Sequence, residues 1–391
     1  MKHGGWPSLT LIYLYGVVSA ASLSKAIPLQ AHISSLPGAS PALFGLFISL
    51  MAVLPAIFGT ASGAVIDRLG ARPALILAAL VGALVNALYL LSDAIASFQV
   101  IRVVEGCIPL LTYAAAPALM IAISAPERRS AAMALWSSYT PVGTSLGLLI
   151  SATFAGTDHW RNAYLVHGAL FVLLALVGLA LPKAPAAGLI RGGPRRSIIA
   201  LLKSAEGVGP LRLAGAFGVL ILLGLGVSVV MPPYLSRHYG ITLGAASGIM
   251  AVANVVMILG STLSGVFLSR GLRAATLFAT LAVCGSIAGL GVFAPWTHIG
   301  LTLSALVIWL TCTGAAMAVL ASLLPKVAGP EHRASTAGLL SQTGALTTFI
   351  TSPLWLAVLG LNQWLALFLI ILAGWGISVV LLPTQTRAGT R

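Results

Sequence analysis

The chain has 391 residues, 59% of them hydrophobic and only 7% charged, and 21 lysines and arginines against 7 aspartates and glutamates give a net charge of +14. About a quarter of the residues of a soluble domain are charged, so this composition cannot clothe a water-facing surface. It excludes a soluble enzyme or nucleic-acid binder and points to an integral membrane protein.

Twelve apolar segments follow one another, at roughly 8–32, 42–66, 73–92, 97–123, 131–155, 162–182, 211–235, 243–268, 274–294, 299–324, 335–359 and 363–383. Each is near the ~20 residues a membrane helix requires and well past the ~9–11 of a membrane β-strand, so the fold class is all-α. The first run, starting near Pro7, is too long for a removable signal peptide and lacks a small-residue cleavage site. Short breaks carry turn and charge signals, such as Pro37-Gly38, Pro126-Glu127 and Pro330-Glu331. Residues 183–210 are longer and basic, with Lys183, Arg191, Arg195, Arg196 and Lys203, and divide the chain into 1–182 and 211–391. With the N-terminus inside, 17 lysines and arginines fall in inner segments and two, Arg161 and Arg237, in outer ones. Both termini are therefore cytoplasmic by the positive-inside rule, and the net charge needs no acidic or nucleic-acid partner. Cys107, Cys284 and Cys312 stand alone, and no His pair at ligand spacing occurs. Neither a metal nor another cofactor is expected.

The halves repeat. Ala125-Pro-Glu-Arg-Arg129 precedes the fifth segment and Gly329-Pro-Glu-His-Arg333 the eleventh, 204 positions later, and Pro28 matches Pro232 at the same spacing. Between the second and third segments stands G-A-V-I-D-R-L-G-A-R, with Gly63, Asp67, Arg68, Gly70 and Arg72 in the pattern G-x-x-x-D-R-x-G-x-R. Glycine at 63 admits a close helix neighbour and glycine at 70 a tight reversal. Asp67 lies where a carboxylate needs the nearby arginines or a helix N-terminus. Gly265, Arg270 and Arg273 echo this loop without the acid. The pattern resembles the signature loop of the major facilitator superfamily. That resemblance covers essentially the whole chain and implies two pseudo-symmetric six-helix bundles working by alternating access, with the loop as a conformational latch on the inner side. It further implies a multi-pass protein of the cytoplasmic (inner) membrane, expected as a monomer in the lipid bilayer.

Neither a catalytic constellation nor a G-x-x-x-x-G-K-[ST] phosphate loop occurs. The chain reads as a secondary transporter rather than an enzyme. Three ionisable residues lie deep in apolar runs: Lys25, Arg102 and Glu105. Arg102 and Glu105 share a helix face, and R102-V-V-E-G106 resembles the less specific fourth-helix motif R-x-x-x-G of the same family. Charge inside a membrane marks a functional site by default. Two bases against one acid favour an anionic substrate, with Lys25 and Arg102 binding a small carboxylate and Glu105 carrying a proton or balancing charge. The structural alternative is that Glu105 only neutralises a buried base. Tyr15, Tyr113, Tyr139, Asn254, Trp309 and Gln342 are further candidates to line the substrate pocket. A multidrug/proton antiporter is the rival within the class, although Thr140-Pro141 departs from the Gly-Pro motif of family antiporters. A non-transporting membrane sensor is the rival outside it.

Overall fold

The computed structural model describes residues 5–182, 208–296, 298–327 and 333–383, so nearly all of the basic linker and the Gly329–His332 part of the repeated loop lie outside the described residues. All regular structure among the described residues is helical. The spans expected from the sequence are present, several longer than expected, such as the seventh (Val208–Tyr239), the tenth (Ile299–Val327) and the eleventh (Arg333–Gly360). The third (Ala71–Leu90), sixth (Asn162–Val177), eighth (Leu243–Ser269), ninth (Ala274–Phe293) and twelfth (Trp364–Val380) are single helices.

Four spans of the N-terminal half are not continuous. The first ends at Ser24, and the chain turns through Lys25 before a short helix at Gln30–Ser34. The second divides into Pro41–Leu50 and Val53–Leu69, the fourth into Ile95–Glu105 and Cys107–Ile123, and the fifth into Arg129–Ser137 and Tyr139–Ala152. One chemical cause serves all four. Proline has no N–H to return to the carbonyl four residues back. Pro28, Pro55, Pro109 and Pro141 therefore leave the carbonyls of Ser24, Met51, Glu105 and Ser137 without their helical donor. The first turns to another partner, since Ile27 N–H bonds Ser24 O at 3.0 Å. Proline alone does not force a break, because the helices run on through Pro117, Pro232, Pro233 and Pro353.

The described chain forms two compact units. The first takes Met1–Arg191 with Ser228–Val255 and Ser352–Ala357, and the second takes the remainder. In the first, the first and fifth spans lie backbone to backbone. A Cβ at Gly143 would overlap the Val17 carbonyl and one at Gly147 the Ala21 carbonyl, while Ser24 Oγ donates to Thr144 O at 2.7 Å. Small residues are the usual means of close helix approach in lipid, where dispersion contacts replace the hydrophobic effect. In the second unit, Arg212 at the head of the seventh span donates to Val380 O at 2.6 Å and Leu382 O at 2.9 Å, a cation set at the C-terminal end of the twelfth. Arg72 at the head of the third span does the same for the sixth by donating to Leu179 O.

The close crossing gives a direct check. Gly147→Ala should lower the melting temperature of the detergent-purified protein, since overpacking against backbone costs about 1–3 kcal/mol. Gly248→Ala, with nothing within 4 Å of the added carbon, should not lower it, since alanine is the better helix former.

Candidate functional site

Three of the four helix breaks converge on the intramembrane charges. Lys25 caps the C-terminal end of the first helix, Arg102 lies in the last turn of Ile95–Glu105, and Glu105 is that helix's final residue. Lys25 Nζ is 2.7 Å from Glu105 Oε1, and Arg102 Nη1 is 2.8 Å from Glu105 Oε2. The same guanidinium reaches the ends of two other half-helices. Nη1 donates to Ser22 O at 2.8 Å, and Nη2 lies 3.4 Å from Ile48 O. Ile48 O is available because Ala52 N–H, its helical donor, turns to Ser49 O at the break in the second span. Gly106 lets the fourth span come this close, since a Cβ there would stand 2.6 Å from Met51 O.

The ammonium of Lys25 is saturated. Besides Glu105 it donates to Asn86 Oδ1 at 2.8 Å and meets His167 Nδ1 at 3.2 Å. An ammonium can only donate, so Nδ1 accepts, and the imidazole's own proton sits on Nε2, 2.9 Å from Val18 O. Asn86 is fixed in turn by Nδ2 donating to Gly82 O at 2.7 Å. The Tyr89 hydroxyl donates to Glu105 Oε2 at 3.0 Å, and the rings of Tyr89 and Tyr164 lie 5.2 and 5.0 Å from Nζ. Exposure of Lys25, Arg102 and Glu105 is 1%, 0% and 0%. In this conformation the three charges expected to meet a substrate meet one another, and no solvent-facing surface reaches them.

The electrostatic sum is informative. Two bases outweigh Glu105 by one charge, but both bases lie at helix C-termini, each worth about half a negative charge. The carbonyls that Arg102 meets, Ser22 O and Ile48 O, offset part of that surplus while Glu105 is ionised. Protonating Glu105 makes the cluster one charge more positive.

The other expected site residues do not join this cluster. Tyr15 is packed away, its hydroxyl donating to Leu174 O at 2.6 Å. Tyr113 and Tyr139 lie together, ring centroids 4.8 Å apart, with Trp136 stacked on Tyr139 at 4.3 Å. Asn254 is buried in the first unit and accepts from Ser228 Oγ at 3.2 Å. Trp309, fully buried, and Gln342 belong to the second unit. Of the latch residues, the backbone of Gly70 adopts φ +86° as the second span ends, and Gly271 repeats this at φ +87° in the second half. Arg68 is exposed. The surroundings of Gly63 and the Asp67 side chain lie outside the described residues, and with them the proposed latch contact. Asn86, His167, Tyr89 and Tyr164 are the partners that the sequence reading missed. A lone amide and a lone imidazole in apolar spans were the available signals, since each needs a hydrogen-bond partner in lipid.

The chain matches the family model described as Major Facilitator Superfamily over residues 12–352. Among solved structures it is similar to a bacterial homologue of the human lysosomal transporter Spinster, in an inward-facing and unoccupied conformation. The identity is 18%, with 97% of this chain and 95% of that one covered and a TM-score of 0.69. It is also similar to the inward-open xylose transporter XylE from E. coli, at 14% identity, with 98% and 97% of the chains covered and a TM-score of 0.77. No curated protein matches the chain. At these identities the structures establish the fold of twelve membrane helices, and the family match over most of the sequence establishes membership: the chain is a multi-pass transporter of the major facilitator superfamily.

Proposed function

We propose that this transporter moves a small organic anion, of carboxylate type, together with a proton. The halves divided by residues 183–210 would alternate access to a site in the N-terminal half, in a monomer of the inner membrane with both termini cytoplasmic. One observation carries the reading: the two oxygens of Glu105 occupy donors on Lys25 and Arg102 at 2.7 and 2.8 Å, the donors a substrate carboxylate would use. A substrate carboxylate and an ionised Glu105 therefore compete for the same nitrogens. Proton uptake by Glu105 removes the competitor and adds one positive charge to the cluster, which favours an anion. The anion and the proton enter as a neutral pair, which limits the charge carried through lipid. A second reading, efflux of lipophilic cations against protons, draws on the Trp136–Tyr139–Tyr113 aromatic face. It gives no role to the paired bases.

Proteoliposomes decide between these readings. Wild-type protein should accumulate a labelled carboxylate when the outside is made acidic, and lipophilic cations should not compete. Glu105→Gln, which keeps an acceptor oxygen but cannot ionise, should still exchange carboxylate across the membrane in counterflow while losing accumulation under a proton gradient. Accumulation by that variant at the wild-type level would refute the role of Glu105. Lys25→Met should raise the KM for the carboxylate at least tenfold, about 1.4 kcal/mol of binding. An unchanged KM would remove Lys25 from recognition.

A further inference from the structure

Most buried or half-buried serines in these helices return their hydroxyl proton to a backbone carbonyl. Ser124 bonds Met120 O, Ser145 bonds Ala251 O, Ser247 bonds Leu243 O and Ser264 bonds Ala315 O. Five buried serines among the described residues do not, and three of them, Ser19, Ser22 and Ser49, belong to the surroundings of Arg102. Ser22 is the residue whose carbonyl holds Nη1, and Ser49 follows Ile48, whose carbonyl faces Nη2. Ser19 lies one turn before Ser22 on the same helix face. Arg102 itself has a spare donor, Nε, which is buried and bonds nothing. At the far end, the Tyr113 hydroxyl lies beside that of Ser19, and neither reaches any other partner. Tyr113 is eight residues beyond Glu105 in sequence, about 12 Å along the fourth span.

Four hydroxyls and a guanidinium N–H thus fall in series along the first, second and fourth spans: Tyr113 beside Ser19, Ser22 whose carbonyl meets Arg102, and Ser49 next to Ile48, whose carbonyl faces the same guanidinium. Each is shut off from bulk solvent; Tyr113 and Ser19 have only each other, and Ser22 Oγ, Ser49 Oγ and Arg102 Nε bond nothing, a state strongly disfavoured for a buried donor. A row of neighbouring polar atoms is the setting in which buried water is held, each molecule taking two to four bonds. We propose that this row is a hydrated proton path that feeds Glu105 from the Tyr113 side, the side of the first span that carries the N-terminus. Hydroxyls and waters pass a proton by accepting one and releasing another. Arg102 Nε only donates, so it anchors the last water beside the carboxylate without taking part in the transfer. The proton ends on a Glu105 oxygen, and the carboxylate becomes the neutral acid that releases Lys25. This inference rests on the proton-coupled reading above, and its hydration half stands apart from it.

The test uses near-isosteric pairs. Ser19→Val/Ser22→Val removes both hydroxyls, while Ser19→Thr/Ser22→Thr adds the same bulk and keeps them, so misfolding from size alone would strike both. If the path is as proposed, the valine pair slows proton-gradient-driven uptake at least tenfold and keeps at least half of the counterflow exchange, which needs no net proton delivery. The threonine pair stays within about twofold in both assays. Equal losses in uptake and counterflow, or equal losses in the two pairs, would overturn the path. If the pairs fail to insert, Ser22→Val against Ser22→Thr gives the same comparison. A wild-type protein that moves carboxylate with no accompanying proton would refute the coupling and leave hydration to be read directly. A map of the wild-type protein in nanodiscs at water-resolving resolution should show ordered water on Ser22 Oγ and Arg102 Nε. A dry row would end the proposal whatever the transport assays show.

Discussion

The contact on which the N-terminal half depends is the shared carboxylate of Glu105, held between Lys25 at 2.7 Å and Arg102 at 2.8 Å with none of the three open to solvent. A charge moved from water to such a place without compensation is lost several kcal/mol, and breaking a buried pair by removing one member costs about 3–5 kcal/mol. Compensation here covers most of the donors and acceptors, with Arg102 Nε the exception. Lys25 has an acceptor for each proton, Arg102 reaches two backbone carbonyls, and Glu105 also takes the hydroxyl of Tyr89. Because the acceptors come from the first, second, third, fourth and sixth spans, the charge cluster is also a crosslink among them.

The helix breaks make that crosslink possible. An unbroken helix uses its carbonyls internally and offers nothing to a buried cation. Where the first, second and fourth spans break beside proline, carbonyls at the broken ends are open to other donors, and Arg102 takes two of them, Ser22 O and Ile48 O. Discontinuous helices with their C-terminal ends aimed at cations are a recurrent arrangement in membrane transporters. In this chain the cations are its own side chains. The cost of breaking helices in lipid, where each orphan carbonyl needs a partner, is thereby offset by the same groups that would otherwise be uncompensated charges.

This arrangement changes how the excess of bases is read. Counted from the sequence, one surplus positive charge calls for an anion at all times. Counted in the structure, two carbonyls at helix ends lie on Arg102 and Glu105 occupies both bases, so on the proposed reading the attraction for an anion would depend on whether Glu105 is ionised. On that reading the cluster would act less as a standing binding site than as a conditional one, with the proton as the condition. The proposed row of hydroxyls leading to Arg102 would fit that reading, since a buried acid that gained and lost a proton would need a route by which it arrives.

Much of the molecule was legible in the sequence because lipid imposes one strong rule: runs of about 20 apolar residues must be helices with their own backbone bonds satisfied. That rule gave the spans, and the loop Gly63–Arg72 with the 204-residue repeat pointed to the family. Intramembrane charge singled out Lys25, Arg102 and Glu105 before any coordinates were considered. What the sequence could not supply was direction. Nothing local distinguishes Pro109, which begins a new helix, from Pro117, which one helix carries through. Nothing local says that Asn86 and His167, 61 and 142 residues from Lys25, would close its hydrogen bonds. Those choices belong to packing between spans, where glycines at 143, 147 and 106 set how near the backbones come. Span periodicity is fixed by each segment's own hydrophobicity, whereas the fate of a buried charge is fixed by which carbonyls and side chains its neighbours bring within 3 Å. That depends on the whole bundle.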